Sequence, residues 1–169
     1  MELEQAIRGR RTHKAYAPEP IDPRLLDELL ELATWAPNHR LTNPWRFRVV
    51  GPRSLARLKA AGEPQDAPKL DRAPTLVLVT VEPSEDPVTA QEDRDAAAVA
   101  AYLVLLGAHG RGLGGYWRTP GVLRTDDGRA ALGVGAREQV VGLLHLGRPR
   151  QEPRVPARTP LGELVTRLD

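Results

Sequence analysis

Apolar residues recur at two different periods along this chain, and the change from one period to the other marks out its elements. Leu3, Ala6 and Ile7 stand at helical spacing before Gly9, so a short helix is expected to lead straight into the basic segment Arg10-Arg11-Thr12-His13-Lys14. Leu25, Leu26, Leu29, Leu30, Leu32 and Ala33 form an apolar face behind Asp22 and Pro23, an N-cap followed by a proline in the first turn, and Pro37 stops this second helix. Trp45 to Val50 reads as a strand and Ser54 to Ala61 as a short helix closed by Gly62. Residues 63–74 are polar and hold Pro64, Pro68 and Pro74, which predicts a surface loop. Thr75 to Val81 is an apolar, β-branched run, the pattern of a strand covered on both faces. After a proline-rich turn, a long helix is expected over Glu92 to Arg111. Its face of Ala97, Ala101, Val104, Leu105 and Ala108 suits close packing against a second helix, with residues 96–108 a candidate for contact across a dimer interface. Gly114 to Trp117 and Gln139 to Leu146 read as two further strands, and a proline-rich tail from Gly147 ends in a short helix over Leu161 to Leu168.

Helices and strands are interspersed without the regular alternation of a doubly wound sheet. The nearest match to a dinucleotide-binding turn, Gly110-Arg-Gly112-Leu-Gly114-Gly115, follows a helix and precedes a strand, the reverse of what that turn requires. The expectation is one α+β sandwich domain spanning residues 1–169.

Composition narrows the chemistry. The chain has no cysteine, which removes disulfide scaffolds, thiolate metal sites and cysteine nucleophiles. Its four histidines are scattered, and no metal-binding or phosphate-loop string is present, so a hydrolase or a metal centre is not expected. The net charge of +2 and an aromatic content of 4% argue against a nucleic-acid partner. No signal-peptide pattern and no apolar run of about 20 residues is found, so a cytoplasmic protein without a membrane partner is expected. If the chain is an enzyme, a bound cofactor would supply the reactive atoms.

Three segments carry candidate chemistry. Arg10, Thr12 and Lys14 alternate, so in an extended segment they would share one side, where two cations and a hydroxyl suit a phosphate and an adjoining electron-rich ring. The same residues also fit a solvated basic turn. Ala36 to Phe47 holds a polar loop with Asn38, His39 and Asn43 as donors to a flat heterocycle, while Trp45 and Phe47 read as core. Gly107 to Pro120 is rich in glycines that would let backbone approach a ligand, with Arg118-Thr119 as a donor pair; a glycine-closed helix end leading to a strand is the plainer reading.

Taken in order, these segments resemble the nitroreductase family. Arg-Arg-Thr-His-Lys-Ala-Tyr at 10–16 is similar to its opening segment, Ala36 to Phe47 to its second, and Gly112 to Trp117 to its Gly-Leu-Gly-x-x-Trp. Leu132-Gly-Val, Val141 to Pro149 and Arg158-Thr-Pro-Leu-Gly-Glu-Leu-Val165 are similar to its ending. The short length and the Trp-Arg-Thr string suggest a compact branch. The resemblance implies an α+β sandwich with a central, mostly antiparallel sheet flanked by helices and a C-terminal extension packed on the partner of a homodimer. It implies non-covalent FMN at the interface, NAD(P)H as co-substrate and a small-molecule electron acceptor. On this resemblance Arg10, Arg11, Thr12 and Arg158 would hold the ribityl phosphate and Lys14 the N1/O2 side of the ring. His39 would reach the flavin from the partner, and Trp117, Arg118 and Thr119 would line it. Gly107, Ala108, His109, Gly110, Arg111 and Gly112 would admit the nicotinamide nucleotide. Trp35 and Asn43 also fall at cofactor positions, Trp35 where the compact branch often has Arg and Asn43 where the family has Gln; Leu41 replaces an Asn and Thr12 a Ser. No side-chain acid or base is required. A quinone, enone, halogenated ring or flavin as acceptor, or a non-catalytic nucleotide-binding module, are the alternatives.

Overall fold

The computed structural model describes residues 2–168 and contains six helices and four strands among them: α1 Leu3–Gly9, α2 Pro23–Ala33, β1 Trp45–Val49, α3 Pro52–Ala60, α4 Ala67–Leu70, β2 Thr75–Val81, α5 Pro87–Gly110, β3 Gly114–Arg118, α6 Asp126–Ala131 and β4 Gln139–Gly147. The strands form one sheet in the order β1-β2-β4-β3, antiparallel at every pairing. β2 and β4 are its centre, and every residue of β2 is buried, as its unbroken apolar run requires. One face packs on α2 and α5 through Leu29, Ala97, Ala101, Val104, Leu144 and Leu146; the other packs on α3 and α6 through Leu58, Leu78, Leu123, Ala131 and Leu143. The molecule is the α+β sandwich expected.

Four expectations need correction. Residues 63–74 are not a plain loop: Pro64–Asp66 form a 3-10 turn and Ala67–Leu70 a helical turn, which lets Leu70 reach the core at 2% exposure. α5 begins five residues earlier than the apolar period suggests, because Asp86 accepts the Thr89 N–H as N-cap and Pro87 occupies the first turn. The tail holds only the 3-10 turn Leu161–Glu163, and its apolar residues stay exposed, so no core stabilises a longer helix there. The alanine face of residues 96–108 is also spent within the protomer: Ala96, Ala97, Ala100, Ala101 and Ala108 are buried against the chain's own sheet and α2. Gly107 permits that approach, since a Cβ there would lie 3.0–3.1 Å from Leu32 and Leu29 of α2. The open face of α5 is instead the half-buried or exposed set Val99, Tyr102 and Leu106.

Beside β3 runs an extended strip, residues 10–17, that the sheet holds at both ends. Thr12 makes a parallel bridge to Gly115 and His13 N donates to Gly115 O at 3.1 Å. Tyr16 bridges Pro149, Ala17 N donates to Arg148 O at 2.9 Å and Arg150 N to Ala15 O at 3.1 Å. The strip is thus wedged between the edge of β3 and the chain leaving β4.

Candidate functional site

The strip and the tail enclose three adjoining cavities. The first, ≈ 600 Å³, is walled by Arg8, Arg10, Arg11 and Arg158, with Tyr102 of α5 at its side. Four guanidinium groups therefore share one space, and among the described residues no carboxylate lines it. Arg10 lies over the Tyr102 ring with its guanidinium carbon 5.7 Å from the centroid. Nε of Arg10 and Nε of Arg11 are buried without a hydrogen-bond partner among the described residues. Buried donors without a partner are costly, so this arrangement fits an anion supplied from outside the chain.

The second cavity, ≈ 520 Å³, is lined by Thr12, Lys14, Tyr116 and Arg154, with Glu152 at its rim. Lys14 is exposed and forms no ion pair among the described residues. Arg10 and Lys14 are four residues apart on extended backbone, which sets them about 13 Å apart along the strip. A ligand that reaches both has an anionic end and a second, polar end. The third cavity, ≈ 330 Å³, lies between Arg11 and His13 of the strip and His109 and Gly112 at the end of α5.

The sequence-derived candidates fall into separate groups. Arg10, Arg11, Thr12, Lys14 and Arg158 come together around the first two cavities. His109 and Gly112 face the third. Gly112 terminates α5 with φ +74°, its N–H bonding His109 O and that of Leu113 bonding Ala108 O, a left-handed helix stop. Ala108 is buried, Gly107 serves helix packing, Gly110 is exposed, and Arg111 pairs with Glu28 at 3.5 Å. Of the glycines in this stretch, Gly107 is thus engaged by α2, whereas a Cβ at Gly110 or Gly112 would meet no atom within 4 Å. At Gly114 a Cβ would lie 2.9–3.0 Å from the His13 ring, and at Gly115 2.6 Å from Leu105. The Trp117 indole packs against the core and donates to Val141 O at 3.1 Å, so it can offer a ligand main-chain atoms only. Arg118 projects from the opposite face of β3 and reaches Lys69 O at 3.5 Å, and Thr119 is exposed beyond it.

Trp35, His39 and Asn43 lie elsewhere. His39 pairs with Glu92 of α5 at 3.2 Å, whereas the arginine cavity meets α5 at Tyr102 and the third cavity meets it at His109. From Glu92 the helix rises about 15 Å to Tyr102 and about 25 Å to His109. His39 thus stands about three helical turns from the arginine cavity of its own protomer. The loop bearing His39 holds Arg40, Leu41 and Asn43 at φ of 53°, 51° and 47°, a left-handed run unusual for side chains of this size. Buried Asp93 anchors it by accepting from Thr42 Oγ1 at 2.5 Å and from Ser84 N at 2.9 Å. Leu41, 76% exposed, and Trp35, 80% exposed, project into solvent.

Arg8, His13, Tyr102, Tyr116 and Arg154 were missed. Arg8 continues the basic run one helical turn earlier, and Tyr116 alternates with Trp117 along β3, so both carried a periodic signal. Tyr102 and Arg154 are brought in only by tertiary packing.

The chain belongs to the nitroreductase family, whose sequence profile, Nitroreductase, matches residues 7–148. It is 28% identical over 182 residues to Putative NAD(P)H nitroreductase YfhC of Bacillus subtilis, covering 98% of this chain and 94% of that one. A nitroreductase-like family protein from Bacillus cereus superposes with TM-score 0.91 at 24% identity over 100% of this chain and 97% of the other, a likeness of fold. A putative nitroreductase from Desulfovibrio desulfuricans, solved in complex with FMN, superposes with TM-score 0.84 at 27% identity over 100% and 98%.

Proposed function

We propose that this chain is a cytoplasmic, homodimeric FMN-dependent NAD(P)H oxidoreductase that reduces nitroaromatic or similar electron-poor acceptors by a ping-pong relay. The observation that carries the reading is the arginine cavity, which has no carboxylate in its wall and leaves two Nε atoms without a partner among the described residues. Family membership and the FMN complex of the Desulfovibrio relative support the cofactor. When bound, FMN supplies an N5 that accepts hydride from one substrate and passes it to the next. The chain's own contribution is to bind and to polarise. Arg10, Arg11 and Arg158 hold the phosphate by charge-assisted hydrogen bonds, and Thr12 continues the contact along the strip. Lys14 places a fixed positive charge where the N1/O2 side of the ring gains negative charge on reduction. Trp117, Arg118 and Thr119 line the ring with main chain and, at Arg118, a guanidinium. His39, Trp35 and Asn43, remote from the arginine cavity of their own protomer, complete the site from the partner, and Gly107 to Gly112 border the entry of the nicotinamide nucleotide.

The test separates the two ends of the strip. Arg158→Ala should weaken FMN binding by about one to two orders of magnitude, the loss of a charge-assisted bond of roughly 1.5–3 kcal/mol. Lys14→Ala, saturated with FMN, should lower the flavin midpoint potential and slow reduction by NAD(P)H. Fluorescence quenching and redox titration measure these quantities, and parallel double-reciprocal plots would report the relay. A purified protein without flavin absorbance that takes up no added FMN overturns the reading.

A further inference from the structure

The guanidinium groups of the arginine cavity are not held alike. Arg11 is turned back on the end of α1: its Nη1 donates to Arg8 O and, at 2.9 Å, to Arg10 O. These carbonyls lie at the helix terminus, where no further turn receives them, so part of the Arg11 fork is taken up by capping. Arg10 is held differently. No described residue accepts a hydrogen bond from its guanidinium, its Nε is buried without a partner among them, and it enters no ion pair among them. What it has instead is a ring, for the guanidinium carbon lies over Tyr102, half-buried on α5, at 5.7 Å from the centroid.

A ring attracts a cation through its π face and takes up none of the cation's N–H donors. Like charges around one space repel, and a long side chain with no hydrogen bond to hold it gains rotamer freedom by turning out to water. The geometry points to Tyr102 as a positioning residue, which keeps the Arg10 guanidinium in the cavity with all five N–H donors free for a phosphate, and so sets the preference for a phosphorylated ligand over its unphosphorylated form. That this ligand is FMN rests on the oxidoreductase reading; the hold of Tyr102 on Arg10 does not. Arg158 and Arg8 share the cavity without a ring of their own among the described residues, so the hold acts through Arg10 alone.

Titration of the full chain, stripped of bound flavin, with FMN and riboflavin side by side tests this by fluorescence quenching. Tyr102→Leu should raise the FMN dissociation constant about tenfold, within the range that a ring over a partly desolvated cation supports, and leave that of riboflavin unchanged. Tyr102→Phe, which keeps the ring, should bind both as the parent does. In an Arg10→Ala background, Tyr102→Leu should weaken FMN binding no further. An FMN affinity indifferent to Tyr102→Leu overturns the proposal. Loss of riboflavin along with FMN, or an equal loss with and without Arg10, also overturns it by making Tyr102 a general support of the fold or of the dimer. Inorganic phosphate separates the proposal from the flavin reading: it should raise the melting temperature of the parent and of Tyr102→Phe, and raise it less in Tyr102→Leu. A protein that takes no FMN but shows this pattern sustains the positioning role and overturns the oxidoreductase reading, and a flavoprotein in which Tyr102→Leu binds FMN like the parent does the reverse.

Discussion

His145 shows how one side chain can set the acid limit of the fold. It lies on β4 with no exposed surface, its two ring nitrogens have no partner among the described residues, and its ring stands 5.7 Å from that of Tyr116. Burial, reinforced by the charges of Arg118 and Arg72, pushes it down to about 4. Above about pH 6.5 the imidazole is neutral in both the folded and unfolded chain and contributes no pH dependence. Below that value the unfolded chain binds a proton that the native one refuses, so stability falls with pH until about 4, by up to about 3 kcal/mol. Urea unfolding at several pH values should show this loss, and His145→Leu should reduce it while leaving the neutral-pH midpoint little changed. Equal slopes for parent and variant would assign acid sensitivity to other groups. Glu138 works over a lower window: two hydrogen bonds from Arg48, with Thr80 and the Gly135 N–H adding to them, hold it down to about 2. Its contribution is full above the ordinary carboxylate range and is lost progressively as pH falls from there to about 2.

Among the elements, β3 and β4 are locked by one side chain filling the place of another. A Cβ at Gly142 would fall on Trp117 Nε1, so the indole occupies the space that a side chain on β4 would need. Gly142→Ala should expel the indole from its bond to Val141 O, costing about 2–4 kcal/mol by overpacking plus the lost bond. A lower urea midpoint and altered tryptophan fluorescence would report it; an unchanged midpoint would mean the indole has room to move. No sequence pattern shows such a pairing, whereas the elements themselves were largely legible. β2 was readable to the residue because burial on both faces leaves only apolar and β-branched residues in it. α5 was readable in its apolar part, but its first turn is polar and is specified by Asp86 and Pro87, the same pair of signals that marks α2 at Asp22 and Pro23. α6 has six residues and includes a glycine, too short for a period to show; Thr125 and its bond to the Gly128 N–H define it. In the site, the alternation of Arg10, Thr12 and Lys14 was visible while the opposite face with His13 was not, because its partner His109 arrives from 96 positions away.

For the molecule as a whole, several apolar surfaces lack a cover. Val155, Leu161, Leu164 and Leu168 of the tail are 68–90% exposed, Trp35 and Leu41 project from the far end, and Val99 and Leu106 leave one side of α5 open. Together with the separation of His39 from the arginine cavity, this argues for the dimer proposed above. Sedimentation should give a dimer that carries FMN, and Val99→Glu should shift it towards monomer with loss of cofactor; a stable FMN-bound monomer would refute the arrangement. The sheet, meanwhile, ends in two edges. β1 carries Arg46 and Arg48 on its edge, charges that discourage pairing with another sheet. The β3 edge, Gly114-Gly-Tyr-Trp-Arg118, is closed by the strip through Thr12 and His13. The segment that presents the ligand-facing cations is thus also the stopper on an aggregation-prone edge. Solubility and the cation array therefore draw on one segment: a change that pulls the strip off Gly115 would scatter its cations and, in the same step, leave a strand ready to recruit another.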